Sequence, residues 1–200
     1  MRAALTRLAP VALLLLLACE PKAAKPIFGP WEEGLTLTFE NPSLPQPQRA
    51  QNRMQVRVAR TTLSPGAPPV VQVDIANTRG QISLIFRHQD GGIALIDEKG
   101  QVLVQPLPIG FPEIAQWSDR GTRYQMIGRP TWEGAAVLPT GTDPIGYWVE
   151  SRSPEGFRRR TLFLPSIGEV ESREERGGNW VTVNRLVARG FTDVPSIKRS

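Results

Sequence analysis

Apolar and polar residues alternate one for one along short stretches, and turn residues interrupt each stretch before a helical period can establish itself. Leu35, Leu37 and Phe39 alternate with Thr36, Thr38 and Glu40. Met54, Val56 and Val58 alternate with Arg53, Gln55 and Arg57, an arginine-bearing face that Arg60 extends. Val71, Val73 and Ile75 alternate with Gln72 and Asp74. Successive strand side chains point to opposite faces, so each stretch reads as a strand buried on one side. The 200 residues include 18 glycines and 19 prolines, concentrated between the alternating stretches. The three prolines of 41–48 predict a loop there, 64–69 a turn, and 105–113 a proline-rich break that divides two halves of one sheet. Further strands are expected at 82–86, 93–96, 102–104, 124–127, 135–138, 147–150, 161–164, 169–172 and 180–187. A single helical turn is expected at 113–117. Hydrophobic residues make up 40% of the chain, which argues against disorder. The pattern predicts an all-β protein with one antiparallel domain over 31–195, of about ten short strands, closed as a barrel or sandwich.

The N-terminus sets the address. Arg2 and Arg7 precede an uncharged apolar run over 8–18, and the run ends in Leu16-Leu17-Ala18-Cys19. A cationic start, an apolar centre and a small residue at the cut make a secretory signal peptide. Eleven apolar residues are too few for a spanning helix, which needs roughly 20. Leu16-Leu17-Ala18-Cys19 resembles the lipobox of bacterial lipoproteins, with Leu17 where Ala or Ser is usual. The resemblance implies cleavage after residue 18 and acylation of Cys19 by diacylglycerol and a further chain such as palmitate. Each buried methylene contributes about 0.8 kcal/mol, and more than one chain makes a stable anchor. The alternative is a plain signal peptide that leaves a free thiol. Cys19 is the sole cysteine, so no intrachain disulfide can form. In the lipoproteins that this stretch resembles, Asp after the cysteine favours the inner membrane, so the resemblance with Glu20 there implies the outer membrane, facing the periplasm. Residues 19–30 read as a lipidated tether and 196–200 as a tail.

Charge and chemistry exclude more than they assign. Loss of residues 1–18 removes Arg2, Arg7 and no acid, so the net charge of +5 becomes +3. Arg158-Arg159-Arg160 is the densest basic run; its exported setting excludes nucleic acid as a partner and leaves a solvated run or a contact with anionic lipid headgroups, lipopolysaccharide or peptidoglycan. His88 is the sole histidine, in Phe86-Arg87-His88-Gln89-Asp90, and is expected to be an exposed turn residue. No Gly-x-Ser-x-Gly elbow is present, and one histidine gives too few ligands for zinc. Asp97-Glu98 and Glu169-x-Glu171 are paired acids. On a regular strand Glu169 and Glu171 share a face about 7 Å apart, which suits a solvated face, a calcium site or a glycosidase-like pair. No catalytic residue, cofactor or metal site is therefore assigned, and the chain is expected not to be an enzyme. Trp31, Trp117, Trp132, Trp148 and Trp180 are many for this length. Trp117, Trp132, Trp148 and Trp180 could line an apolar ligand pocket or simply pack the core.

Val137-Leu138-Pro139-Thr140-Gly141, Gly146-Tyr147-Trp148-Val149-Glu150 and the stretch from Leu162 to Glu171 resemble envelope proteins of the DUF3108 and TapB-like group. Leu107-Pro108-Ile109 followed by Trp117 resembles an element upstream in that group. The likeness covers roughly 100–190, with Leu164, Ser166 and Glu169 departing from the group's usual residues. It implies a secreted or lipid-anchored all-β domain on a strongly curved antiparallel sheet, a half-barrel or barrel, with a distant similarity to the lipoprotein carriers LolA and LolB, whose curved sheet holds acyl chains. With the tryptophans, that carrier-like similarity leads to an expected apolar ligand or lipid, and the lipobox to attachment at a membrane. The alternative is a scaffold that binds an envelope protein through its strands or its arginine face.

Overall fold

The structure, a computed structural model, describes residues 27–29 and 32–191. Cys19, the signal peptide, most of the tether, Trp31 and the tail lie outside the described residues. The strands among them are β1 (Leu35–Glu40), β2 (Met54–Thr62), β3 (Val70–Asn77), β4 (Gly80–Gln89), β5 (Gly92–Ile96), β6 (Val102–Leu107), β7 (Gln116–Asp119), β8 (Thr122–Gly128), β9 (Tyr147–Arg152), β10 (Arg158–Leu164), β11 (Gly168–Arg176) and β12 (Asn179–Phe191). They form one antiparallel sheet in the order β6-β5-β4-β3-β2-β1-β12-β11-β10-β9-β8-β7. Two six-strand meanders are joined where β1 pairs with β12, Thr38 opposite Ala188 and Phe39 opposite Leu186. The sheet curls so far that its end strands β6 and β7 meet. Gln105 N donates to Asp119 Oδ2 at 3.0 Å, and an Arg120 guanidinium nitrogen donates to the Val102 carbonyl at 3.1 Å. The expected all-β, strongly curved single sheet is thus a nearly closed barrel; of the break expected at 105–113, residues 105–107 belong to β6 and the loop that joins the two halves runs over 108–115.

Local chemistry accounts for the turns. Gly177 and Gly178, both at positive φ (57° and 82°), make the two-residue connection from β11 to β12, the conformation a tight hairpin needs and that glycine adopts freely. Three expectations are corrected. The 41–48 loop runs into a short helix, α1 (Gln46–Gln51), because Pro47 sits in the first turn, where its missing N–H is not needed. Arg49 of this helix donates to the carbonyls of Pro42 and Leu44 and holds the loop down. The strand expected at 135–138 is instead a 3-10 turn (Ala135–Val137), with Val137 and Leu138 packed on the core. The helical turn expected at 113–117 gives way to β7, whose Trp117 pairs with Tyr124 of β8.

The core has two parts. One gathers Leu35, Leu37 and Phe39 of β1 with Val58, Val71, Val73, Ile167, Val170 and Leu186, and continues to Leu162, Leu164 and Trp132. The other gathers Phe28, Ile93, Leu107, Phe111, Tyr147, Val149 and Phe163. Phe28 and Phe111 are fully buried and meet edge to face, ring centroids 5.0 Å apart, with Tyr147 edge-on to both.

Candidate functional site

The inward residues do not fill the barrel. They leave a cavity of about 240 Å³ with an almost wholly apolar wall. Leu37 and Phe39 of β1, Met54 and Val56 of β2, Val73 and Ile75 of β3, and Phe86 and His88 of β4 line it. Each pair is two residues apart, so the alternation visible in the sequence places both members on the cavity side. The cross-strand register confirms the layer: Leu37 stands opposite Val56, and Val56 opposite Ile75.

One end is closed by the N-terminal segment. Ser166 N donates to the Ile27 carbonyl at 2.6 Å, which seats Phe28 in the second core. Gly29 packs closely against the imidazole of His88; a Cβ at that position would overlap His88 Cε1, so this close approach favours glycine there.

Three polar side chains face the cavity: His88, Glu169 and Asn184. His88 is 4% exposed, which overturns the expectation of a solvent-facing turn histidine. Its backbone N donates to the Pro69 carbonyl at 3.0 Å, while Nδ1 is buried and has no hydrogen-bond partner among the described residues. Burial lowers its pKa from 6.5 to about 4, so the ring is neutral at pH 7. Glu169 is tethered at the other side: its Oε1 accepts from Arg159 at 3.1 Å and from Asn184 Nδ2 at 3.2 Å. Arg159 also donates to Oγ of the fully buried Ser172 at 2.9 Å. The acid or serine bond that orients a catalytic histidine is missing from Nδ1. No group of three or more His, Cys, Asp or Glu side chains that could hold a metal occurs among the described residues. What this wall can do is enclose hydrocarbon and offer it one neutral imidazole.

Glu169 and Glu171 do not share a face, as a regular strand would require. Phe163 pairs with Glu169 and Leu162 with Glu171, so Val170 is an extra residue, a β-bulge that reverses the facing between the two acids. Glu169 turns to the cavity. Glu171 turns to the opposite face, buried to 2% exposure, and takes Arg173 at 2.7 Å and Arg185 at 2.9 Å.

None of the four tryptophans that sequence singled out lines this cavity. Trp132 is buried in the first core beside Leu162. Trp117 lies half-buried at the seam, stacked on Tyr124 with centroids 5.2 Å apart. Trp148 and Trp180 stand on the opposite face beneath arginines: Arg173 lies 4.8 Å over Trp148, and Arg160 3.9 Å over Trp180. The basic run is largely neutralised there. Glu150 receives Arg158 at 2.6 Å and Arg160 at 2.8 Å, and Glu175 receives Arg158 at 3.0 Å. Sequence reasoning passed over the cavity residues because they carry an ordinary strand pattern. His88 did leave a signal: it continues the even-numbered register of Leu84 and Phe86.

No protein-family model and no curated protein matches the chain, so the DUF3108 and TapB-like likeness stands on its turn and strand motifs alone. Among solved structures, the chain is similar to a protein described as exported, with a YmcC-like fold, from Bacteroides fragilis NCTC 9343. The two share 13% identity over 82% of this chain and 99% of the other, with a TM-score of 0.51. It is also similar to a protein described as a lipoprotein from Parabacteroides distasonis ATCC 8503, at 14% identity over 83% of this chain and 99% of the other, TM-score 0.52. At such identities the likeness establishes the fold.

Proposed function

We propose that this chain is a lipid-anchored protein of the bacterial cell envelope that binds an apolar ligand in the cavity of its curved sheet and catalyses no reaction. Attachment is through acylated Cys19, with the domain facing the periplasm from the outer membrane. The cavity carries the reading. A hydrocarbon site of about 150 Å³ takes benzene, and this one measures about 240 Å³. Each methylene moved from water into such a wall contributes about 0.8 kcal/mol. The lipobox, and the likeness to proteins described as exported and as a lipoprotein, support the envelope setting. The outward face of β9–β12 carries Arg and Glu pairs, opposite in pattern to the apolar band of barrels that cross membranes with strands.

Native mass spectrometry tests both halves. The full chain with Cys19→Ser, prepared without detergent, should retain a noncovalent mass that organic extraction removes; a bare chain mass overturns ligand binding. The unsubstituted chain should fractionate with membranes and carry acyl groups on its first mature residue. An unacylated mass overturns the anchor. A scaffold role draws on a different observation: edge strand β6 exposes Val102, Leu103 and Val104, with Ile109 and Ile114 beyond it. Crosslinking in cells that traps one protein partner on this edge would favour that role.

A further inference from the structure

We infer that the outward face of β7–β10 carries a second site, which binds a phosphate monoester between Arg123 and Arg152. Register builds it. Ser118 of β7, Arg123 of β8, Arg152 of β9 and Arg158 of β10 stand directly opposite one another on adjacent strands. Directly opposed residues share a face, with Cβ atoms about 4.5–5.5 Å apart. All four line one open groove of about 700 Å³. Tyr124, next to Arg123, turns the other way and packs on the second core, so the groove lies outside the barrel. The site does not depend on the cavity holding a ligand.

The arginines of this face outnumber its acids. Arg158 is held by Glu150 at 2.6 Å and by Glu175 at 3.0 Å, and Glu150 also receives Arg160 at 2.8 Å. The guanidinium groups of Arg123 and Arg152 have no ion pair, hydrogen bond or ring contact among the described residues, and both side chains are exposed. Two like charges thus face each other across β8 and β9 with no side chain to offset them, an arrangement that destabilises a sheet. An anion seated between them removes that cost. Charge and shape select the anion. A phosphate monoester carries about −1.5 to −2 charges at pH 7 and three acceptor oxygens. It can therefore take the planar N–H forks of both arginines and still accept from the Ser118 hydroxyl. A phosphodiester or a carboxylate brings one charge and two free oxygens, enough for one arginine. A neutral ligand leaves the repulsion in place.

The test uses the full chain with Cys19→Ser at pH 7 and fixed ionic strength, with calorimetry as the readout. Methyl phosphate should bind saturably, and dimethyl phosphate about tenfold more weakly. Arg123→Gln and Arg152→Gln should each weaken methyl phosphate about tenfold or more. Arg79→Gln removes an exposed arginine from the β3–β4 turn and should leave binding unchanged. Thermal melting checks folding; each groove variant loses a like-charge neighbour, so its Tm should not fall. Flotation with phosphatidylcholine vesicles containing phosphatidic acid, a monoester lipid, identifies the source of the phosphate. Retention that Arg123→Gln abolishes supports the site and assigns it a lipid headgroup. Methyl phosphate binding without retention supports the site and assigns it a soluble ester. Equal affinity for the two esters, or an equal loss in Arg79→Gln, overturns the site in favour of general attraction to a basic surface. Absence of both methyl phosphate binding and vesicle retention overturns it outright.

Discussion

His88 and Glu171 are buried to almost the same degree, and the fold answers them in opposite ways. Glu171 is given two guanidinium groups, those of Arg173 and Arg185. His88 is given none, and burial holds it neutral, with a pKa of about 4 against 6.5 for an ordinary histidine. The consequence for stability has a definite sign. As pH falls below 6.5 the unfolded chain takes up a proton at this residue and the folded chain does not, so stability drops until about pH 4, where the folded ring protonates too. Between pH 7 and pH 5 the loss is about 2 kcal/mol. Urea unfolding at those two pH values should show this loss in the parent and its near absence in His88→Leu. A parent midpoint that does not move between pH 7 and pH 5 would contradict the buried neutral ring.

β9, β10, β11 and β12 show how one face of a sheet can carry many charges. Arg158 stands opposite Arg152, and Arg152 opposite Arg123, three like charges in a row across adjacent strands. Directly opposed like charges destabilise a sheet, so the row depends on the acids beside it. Glu150 is the central one, bonded to both Arg158 and Arg160. Burial alone would raise its carboxyl, but the hydrogen bonds and charges of Arg158 and Arg160 outweigh burial and hold it below the usual range. Glu150→Gln should cost about 1–2 kcal/mol in urea unfolding at pH 7, a figure limited by partial solvent screening. The difference between parent and variant should narrow in strong acid, because this contribution exists above the ordinary carboxyl range and is lost as pH falls through the lowered folded-state value. Legibility follows the same physics. Strands such as β1 and β3 were readable because alternation is a local property of a half-buried strand. The Val170 bulge was not, because an extra residue depends on what lies opposite it, and the sequence does not state the pairing. The two acids, read as neighbours, were therefore split. Gln89-Asp90-Gly91-Gly92 after His88 signals a turn, whereas the ring packs against Gly29, a contact between segments about sixty residues apart that no local pattern states. The cavity was invisible for a simpler reason: a residue facing empty space and a residue facing a packed neighbour have the same pattern.

A barrel of twelve strands must either complete its hydrogen-bond ladder or manage two open edges. This one does the second. β6 and β7 are neighbours in space, yet the bonds that bridge them involve side chains: Asp119 caps the Gln105 N–H, and Arg120 reaches the Val102 carbonyl. Pro106 lies within β6, as proline in sheets usually does on an edge strand. The arrangement leaves Val102, Leu103 and Val104 partly exposed, an edge prone to pair with another copy if it were freed. The seam is bridged through Asp119, which accepts from the Gln105 N–H of β6 and whose charge also acts on Tyr124 of β8 on its own side. Burial first, and the Asp119 charge second, raise the Tyr124 phenol above its ordinary range, against a hydrogen bond from Thr122. Asp119→Ala should therefore have two separable effects. Amide hydrogen exchange should quicken in β6 and β7 while β1 and β12, where the two meanders pair, stay protected, for a stability loss of about 1–2 kcal/mol. The Tyr124 phenol should also ionise at lower pH than in the parent, visible in ultraviolet titration because the chain has just two tyrosines. Uniform exchange across all strands would mean that the barrel opens as a whole and that the seam is no weaker than the junction of β1 with β12. Faster exchange confined to β6 and β7, together with the tyrosine shift, would locate the first opening of the barrel at one carboxylate.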